Sequence, residues 1–205
     1  MNPPQIGISY VEHMAGQPLD DFFDEVQRPG LDLRREVREH PGIYAGIEWL
    51  IPTAVFLYIS RSYFDSFLKE AGKDHYHLLK AAIKKLTAKF IGPSAPTGRL
   101  YFSGRNKVES DVPKYSLAYS VIAEVVPGLS AKLLLQNDLS AEESSAAIEL
   151  FTQFLDSVFA GSLDPSSIKG IEEADPISGQ LLLAYNREEK KLEVKDPRPA
   201  RGPTA

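Results

Sequence analysis

The sequence predicts an α+β fold, an antiparallel or mixed sheet covered on one face by three main helices. Three observations carry that expectation. Segments 115–137 and 180–195 each hold two apolar runs joined by a short turn, the pattern of a β-hairpin. Segments 53–71, 74–90 and 141–160 repeat apolar residues at helical spacing. The 205 residues are 43% hydrophobic and 25% charged, enough apolar material for a full core without disulfides or metals.

The elements follow in chain order. Ile6, Ile8 and Tyr10 alternate with Gly7 and Ser9, which predicts a short first strand. "PLDDFFDEV" reads as an acidic helical turn or loop anchored by Phe22 and Phe23. "LDLRREVREH" reads as a helix capped by Asp32 and stopped at Pro41-Gly42.

The most apolar stretch, "GIEWLIPTAVFLYIS", spans residues 46–60. Ile43, Ala45, Ile47, Trp49 and Ile51 share one side at period two, so 43–51 is predicted as a strand. Pro52 suits a first helical position, so the helix is expected to begin there and run to Gly72. Arg61, Asp65 and Lys69 form its wet stripe, opposite Phe56, Tyr63, Phe64, Phe67 and Leu68. Glu48, Arg61 and Asp65 interrupt the run too often for a bilayer span, which needs about 20 apolar residues. A buried strand-to-helix junction is the expectation.

The next helix begins with Asp74 as cap and buries Leu79, Ala82, Ile83, Leu86 and Phe90. "RLYFSG" reads as a strand, and Tyr115 to Val125 alternate into the first hairpin. Ser140 and Glu143 predict a capping box for 141–160, with Gly161 closing that helix. In the second hairpin the polar strand "KKLEVK" suits a sheet edge. Residues 1–196 are read as a single domain, with 92–98 as the internal boundary the composition offers and 197–205 as a disordered tail.

Charge is uneven. Residues 61–107 hold ten Lys and Arg against three acids, +7, while the remainder holds 13 against 25, −12. A net charge of −5 argues against a general nucleic-acid binder. The absence of cysteine excludes disulfides and thiolate chemistry and suits a reducing compartment. The N-terminus shows no secretory pattern, so a cytoplasmic location is expected.

No phosphate-binding loop, nucleophile elbow, paired-histidine zinc motif or calcium loop is present, and no cofactor or metal is expected. The nearest approach to a site is "KDHYH". His75 and His77 stand two apart, the wrong spacing for one helix face, and His75 falls on the apolar side. A general-base role for His75 would draw on Asp65 or Glu70. Glu48 is the other unusual residue, a carboxylate within an apolar strand. Tyr101, Phe102, Tyr115 and Tyr119 lie on predicted strands, but without an RNA-binding run they read as core.

The basic helix offers a surface for an anionic partner: Lys73, His77, Lys80, Lys84 and Lys85. The chain's own acids between Asp20 and Glu25 would satisfy the same lysines. The favoured reading is a non-enzymatic cytoplasmic interaction or accessory protein. It would bind an unidentified protein through the lysine face or the loop 161–178. One alternative is a membrane-engaging effector using 43–72 and the lysines at 73–89. The other is an enzyme with a site near His75.

Overall fold

The computed structural model describes residues 3–39, 53–92, 95, 113–196 and 198. Alternating apolar residues form β1 (Ile6–Val11), β3 (Val55–Ile59), β4 (Tyr119–Val126), β5 (Leu129–Leu134) and β7 (Gln180–Asn186). More polar segments form β2 (Leu33–Arg38), the two-residue β6 (Ile168–Lys169) and β8 (Lys191–Val194). Among the described residues these strands make one mixed sheet, ordered β2-β1-β3-β4-β5-β7-β8-β6. β1–β2, β3–β4, β5–β7 and β6–β8 run parallel, and β1–β3, β4–β5 and β7–β8 antiparallel.

Among the described residues four α-helices accompany the sheet: α1 (Gln17–Val26), α2 (Leu68–Ala71), α3 (Lys73–Phe90) and α4 (Ala141–Phe159). A π-helical turn, Tyr63–Phe67, leads into α2. Inward residues of α1, α3 and α4 share one apolar cluster with Ile8, Leu57, Val121, Leu133 and Leu183, one from each central strand. Each buried aliphatic side chain of this kind stabilises by roughly 1.5–3 kcal/mol, so the helix-covered face carries the fold. The opposite face holds a smaller cluster of Tyr115, Leu134, Leu182 and Ala184.

The expected α+β architecture with helices on one face is what forms. Both hairpins form, and α4 carries the Ser140/Glu143 capping box in full. Gly161 follows it at φ +67°, a conformation that glycine adopts without a side-chain clash.

Four local expectations are corrected. "LRREVR" is β2, not helix, because its backbone pairs residue for residue with β1. Asp32 therefore caps nothing; its carbonyl accepts from the backbone of Gln5 and Ile6, and its carboxylate pairs with Arg34. Residues 55–59 are β3, the strand between β1 and β4, and helical structure begins only at Arg61. Gly72, not Asp74, occupies the N-cap of α3, without a side-chain cap. β8 is not the sheet edge, since β6 pairs on its outer side.

The predicted strands 43–51 and 99–104, Glu48, Tyr101 and Phe102 lie outside the described residues. So do most of 92–98 and of the 197–205 tail. β3 precedes the 92–98 segment and β4 follows it, and the two are paired in register.

Candidate functional site

Lys80, Lys84 and Lys85 lie on the polar side of α3, as its amphipathic spacing dictates. Their ammonium groups are committed within the fold. Glu149 of α4 accepts from Lys80 Nζ at 2.9 Å and from Lys84 Nζ at 2.6 Å, and Glu25 of α1 accepts from Lys85 Nζ at 2.8 Å. The acidic Asp20–Glu25 segment thus does meet the lysine face, through Glu25. Lys73 and His77 are exposed at the start of α3. The basic face works first as the electrostatic seam joining α1, α3 and α4.

Glu149 feels that seam most. Hydrogen bonds from Lys84 and Lys80 push its carboxyl down to about 2. A depressed carboxylate contributes stability above its ordinary value of 4.5, and loses it as pH falls toward 2. Its side chain is 35% exposed, so solvent screening discounts the gain. Glu149→Gln is expected to cost about 1 kcal/mol at neutral pH. Urea unfolding of both proteins at neutral and strongly acidic pH checks this, and the difference should vanish at the acidic end.

His75 sits 5% exposed between α1, the π turn and α3. Its Nε2 lies 2.9 Å from the Val26 carbonyl, which only accepts, so Nε2 carries the proton. Nδ1 of the neutral ring then accepts from Tyr63 Oη, also at 2.9 Å. Burial lowers the imidazole pKa, outweighing the bond to Val26, and Phe67 meets the ring edge-to-face at 4.9 Å. Asp65 instead pairs with Arg61 at 2.7 Å on the exposed side of the same helical stretch. The geometry does not bring Asp65 to His75. Glu70 lies in α2. The His75 ring is a structural joint whose two nitrogens are both engaged.

A concavity lies elsewhere. A cleft of about 520 Å³ opens where β5 and β7 end side by side, lined by Lys114, Gln136, Asn137, Asn186, Arg187 and Glu193 among others. Parallel pairing of β5 and β7 brings their carboxyl ends together. In open α/β sheets such ends are where ligands collect. Asn137 Nδ2 donates to the Pro113 carbonyl, fixing the segment that walls the cleft. Asn186 Oδ1 accepts from the amides of Glu188 and Glu189, which shapes the β7–β8 turn. Arg187 bridges Asp138 and Glu143, tying that turn to the start of α4. Asp138 is shifted below the usual carboxylate range by its hydrogen bond from Arg187.

None of these cleft residues was a sequence candidate. A signal was present: "LLLQND" and "LLLAYNRE" both end an apolar strand in amide and charged residues. Only the parallel pairing reveals that the two endings are neighbours.

A further, smaller hollow of about 310 Å³ lies over Gly7 and Ser9 of β1, between Arg34 and Glu36 of β2 and Phe56 and Tyr58 of β3. No helix among the described residues is long and apolar enough to cross a membrane. Among them, no group of three His, Asp or Glu is placed to hold a metal ion. No known protein family, curated protein or solved structure matches the chain.

Proposed function

We propose that this chain is an interaction or accessory protein rather than a catalyst, and that it receives an extended acidic segment of a partner protein along β2. The observation that carries this is the sheet order, which among the described residues leaves the six-residue β2 as a terminal strand. Val37 on that strand is 58% exposed, the most exposed large hydrophobic side chain described. An edge strand offers a row of backbone groups to an incoming strand, and side chains beside it supply the selectivity.

Charge selects the occupant. Arg34, Arg35 and Arg38 outnumber Glu36 along β2; Arg34 and Arg35 pair with Asp32 and Asp20 in solvent-exposed bridges, which an incoming acidic strand can exchange, whereas Lys80 is 14% exposed in its pair with Glu149. A second copy of β2 would bring the same excess of arginine, whereas an acidic strand would meet complementary charge. The lysine face of α3 supports the role less well, because Lys80, Lys84 and Lys85 already serve Glu149 and Glu25. A cytoplasmic setting belongs to the same proposal and rests on the cysteine-free composition.

Two short peptides test it, one alternating Val with Glu and the other Val with Lys. The acidic peptide should bind and slow amide exchange at residues 33–38. Val37→Lys and Arg35→Glu should each weaken that binding by about tenfold, the equivalent of one good contact. Equal binding of both peptides, or no protection of β2, removes the edge as the docking element.

A further inference from the structure

His75 is placed so that its neutral ring suits both of its buried partners and its charged ring suits only one. The neutral ring donates through Nε2 to the carbonyl of Val26, the last residue of α1, and accepts at Nδ1 from Tyr63 Oη, each at 2.9 Å. Protonation adds a second N–H, at Nδ1. The Tyr63 oxygen then has to accept, and its own O–H has to turn elsewhere. Tyr63 is 0% exposed, and His75 is the one hydrogen-bond partner of its hydroxyl among the described residues. A proton on His75 therefore strands a buried donor away from solvent, which folded proteins rarely tolerate.

Among the described residues no carboxylate bears on the ring to offset that loss. The charge that does bear on it is the Arg28 guanidinium, just past α1, which repels a second cation. Asp65 of the π turn is held by Arg61, and Glu25 of α1 by Lys85. Asp24 of α1 and Lys73 and Asp74 of α3 are exposed. A ring buried neutral contributes its stability above 6.5, and that contribution is lost as pH falls below 6.5 through the lower folded value. The element on the stranded side is the π turn with α2, nine residues in all from Tyr63 to Ala71. So short a helical stretch depends on packing rather than on its own turns. Ser62, Asp65, Ser66 and Lys69 are exposed, so Tyr63, Phe64 and Phe67 are its anchors.

We propose that His75 makes the seat of the π turn proton-sensitive. The neutral ring holds Tyr63 in place. The protonated ring releases it, and segment 61–72 opens toward solvent ahead of the sheet. The device needs no partner and is independent of the β2 edge, since none of its residues belongs to that strand.

The test follows the histidine ring nitrogens and the amide exchange of the full chain, uniformly ¹⁵N-labelled, from pH 7.5 to 5, with exchange corrected for its intrinsic pH dependence. His75 should show the Nε2–H tautomer at pH 7.5 and titrate below 6.5. Protection of the amides of residues 66–72 should fall by about tenfold as pH drops below 6.5, as one stranded buried donor implies, and level off once the ring is protonated. Amides of β4 and β5 should keep their protection. In His75→Gln, whose amide can donate to one partner and accept from the other without titrating, the fall should be absent. A His75 pKa at or above 6.5, the result if a carboxylate such as Glu70 reached the ring, would overturn the proposal. Unchanged protection of 66–72 while His75 titrates, or an equal fall in folded His75→Gln, would overturn it as well. The native chain decides the matter even if the variant does not fold, because ring and amides are read in one sample.

Discussion

Raising the pH from about 8 to about 10.5 is expected to stabilise the fold by about 3 kcal/mol through Lys132 alone. Lys132 stands in the middle of β5, in register with Ile122 of β4 and Leu182 of β7, and is 2% exposed. Burial lowers its ammonium from an ordinary 10.5 to about 8. Below about pH 8 the lysine is charged in both folded and unfolded chains, and the folded chain bears the full cost of burying that charge. As pH rises through the folded value, the native lysine sheds its proton while the unfolded one keeps it. Above about 10.5 neither is charged and the cost is gone.

Buried tyrosines act in the opposite sense. Burial raises the phenols of Tyr63, Tyr76 and Tyr119, so unfolding is favoured once unfolded tyrosines begin to ionise near pH 10. The lysine contribution is therefore read as a difference between the native chain and Lys132→Met. Urea unfolding at intervals from pH 7 to 10.5 should show native stability gaining about 3 kcal/mol on the variant. Parallel stability curves would mean that Lys132 titrates normally and that its ammonium reaches water.

What was legible in the sequence was what local spacing decides. α3 and α4 could be read because their buried stripes repeat over 18 and 19 residues, and the capping box of α4 lies within four residues. The β4–β5 and β7–β8 hairpins were legible because each turn joins neighbours in sequence. Non-local pairing was not legible. Leu33 and Val37 are four apart, a spacing that puts both on one side of a helix and on one side of a strand alike. The parallel partner β1 resolves that ambiguity, and it lies 27 residues away along the chain at Ile6↔Leu33. The same holds for the sites. Glu149 is 69 residues from Lys80, and Gln136 is 50 from Asn186, so neither the lysine seam nor the cleft has a local motif. His75 was placed on the apolar face correctly, because α3's own period decides that.

The strand β3 offers the sharpest mutational reading, because helix and strand make different forecasts for the same five residues. Val55, Leu57 and Ile59 are at most 1% exposed, while Phe56 and Tyr58 are half-buried on the other face. Arg38 lies over the Phe56 ring at 4.7 Å, a contact that partly survives in water. Leu57→Ala removes buried aliphatic volume from a strand held by neighbours on both sides, where the sheet has little freedom to collapse into the cavity. It is expected to cost about 2–5 kcal/mol. Phe56→Ala should cost clearly less, since part of that ring is already in water. An alanine scan of residues 55–59 followed by urea unfolding should therefore alternate with period two. Helical packing would instead link Phe56 with Tyr63 and Phe67 at seven- and eleven-residue offsets and spare Leu57. A scan in which Phe56 outweighs Leu57 would place the segment outside the sheet, and with it the register that joins the two halves of the chain.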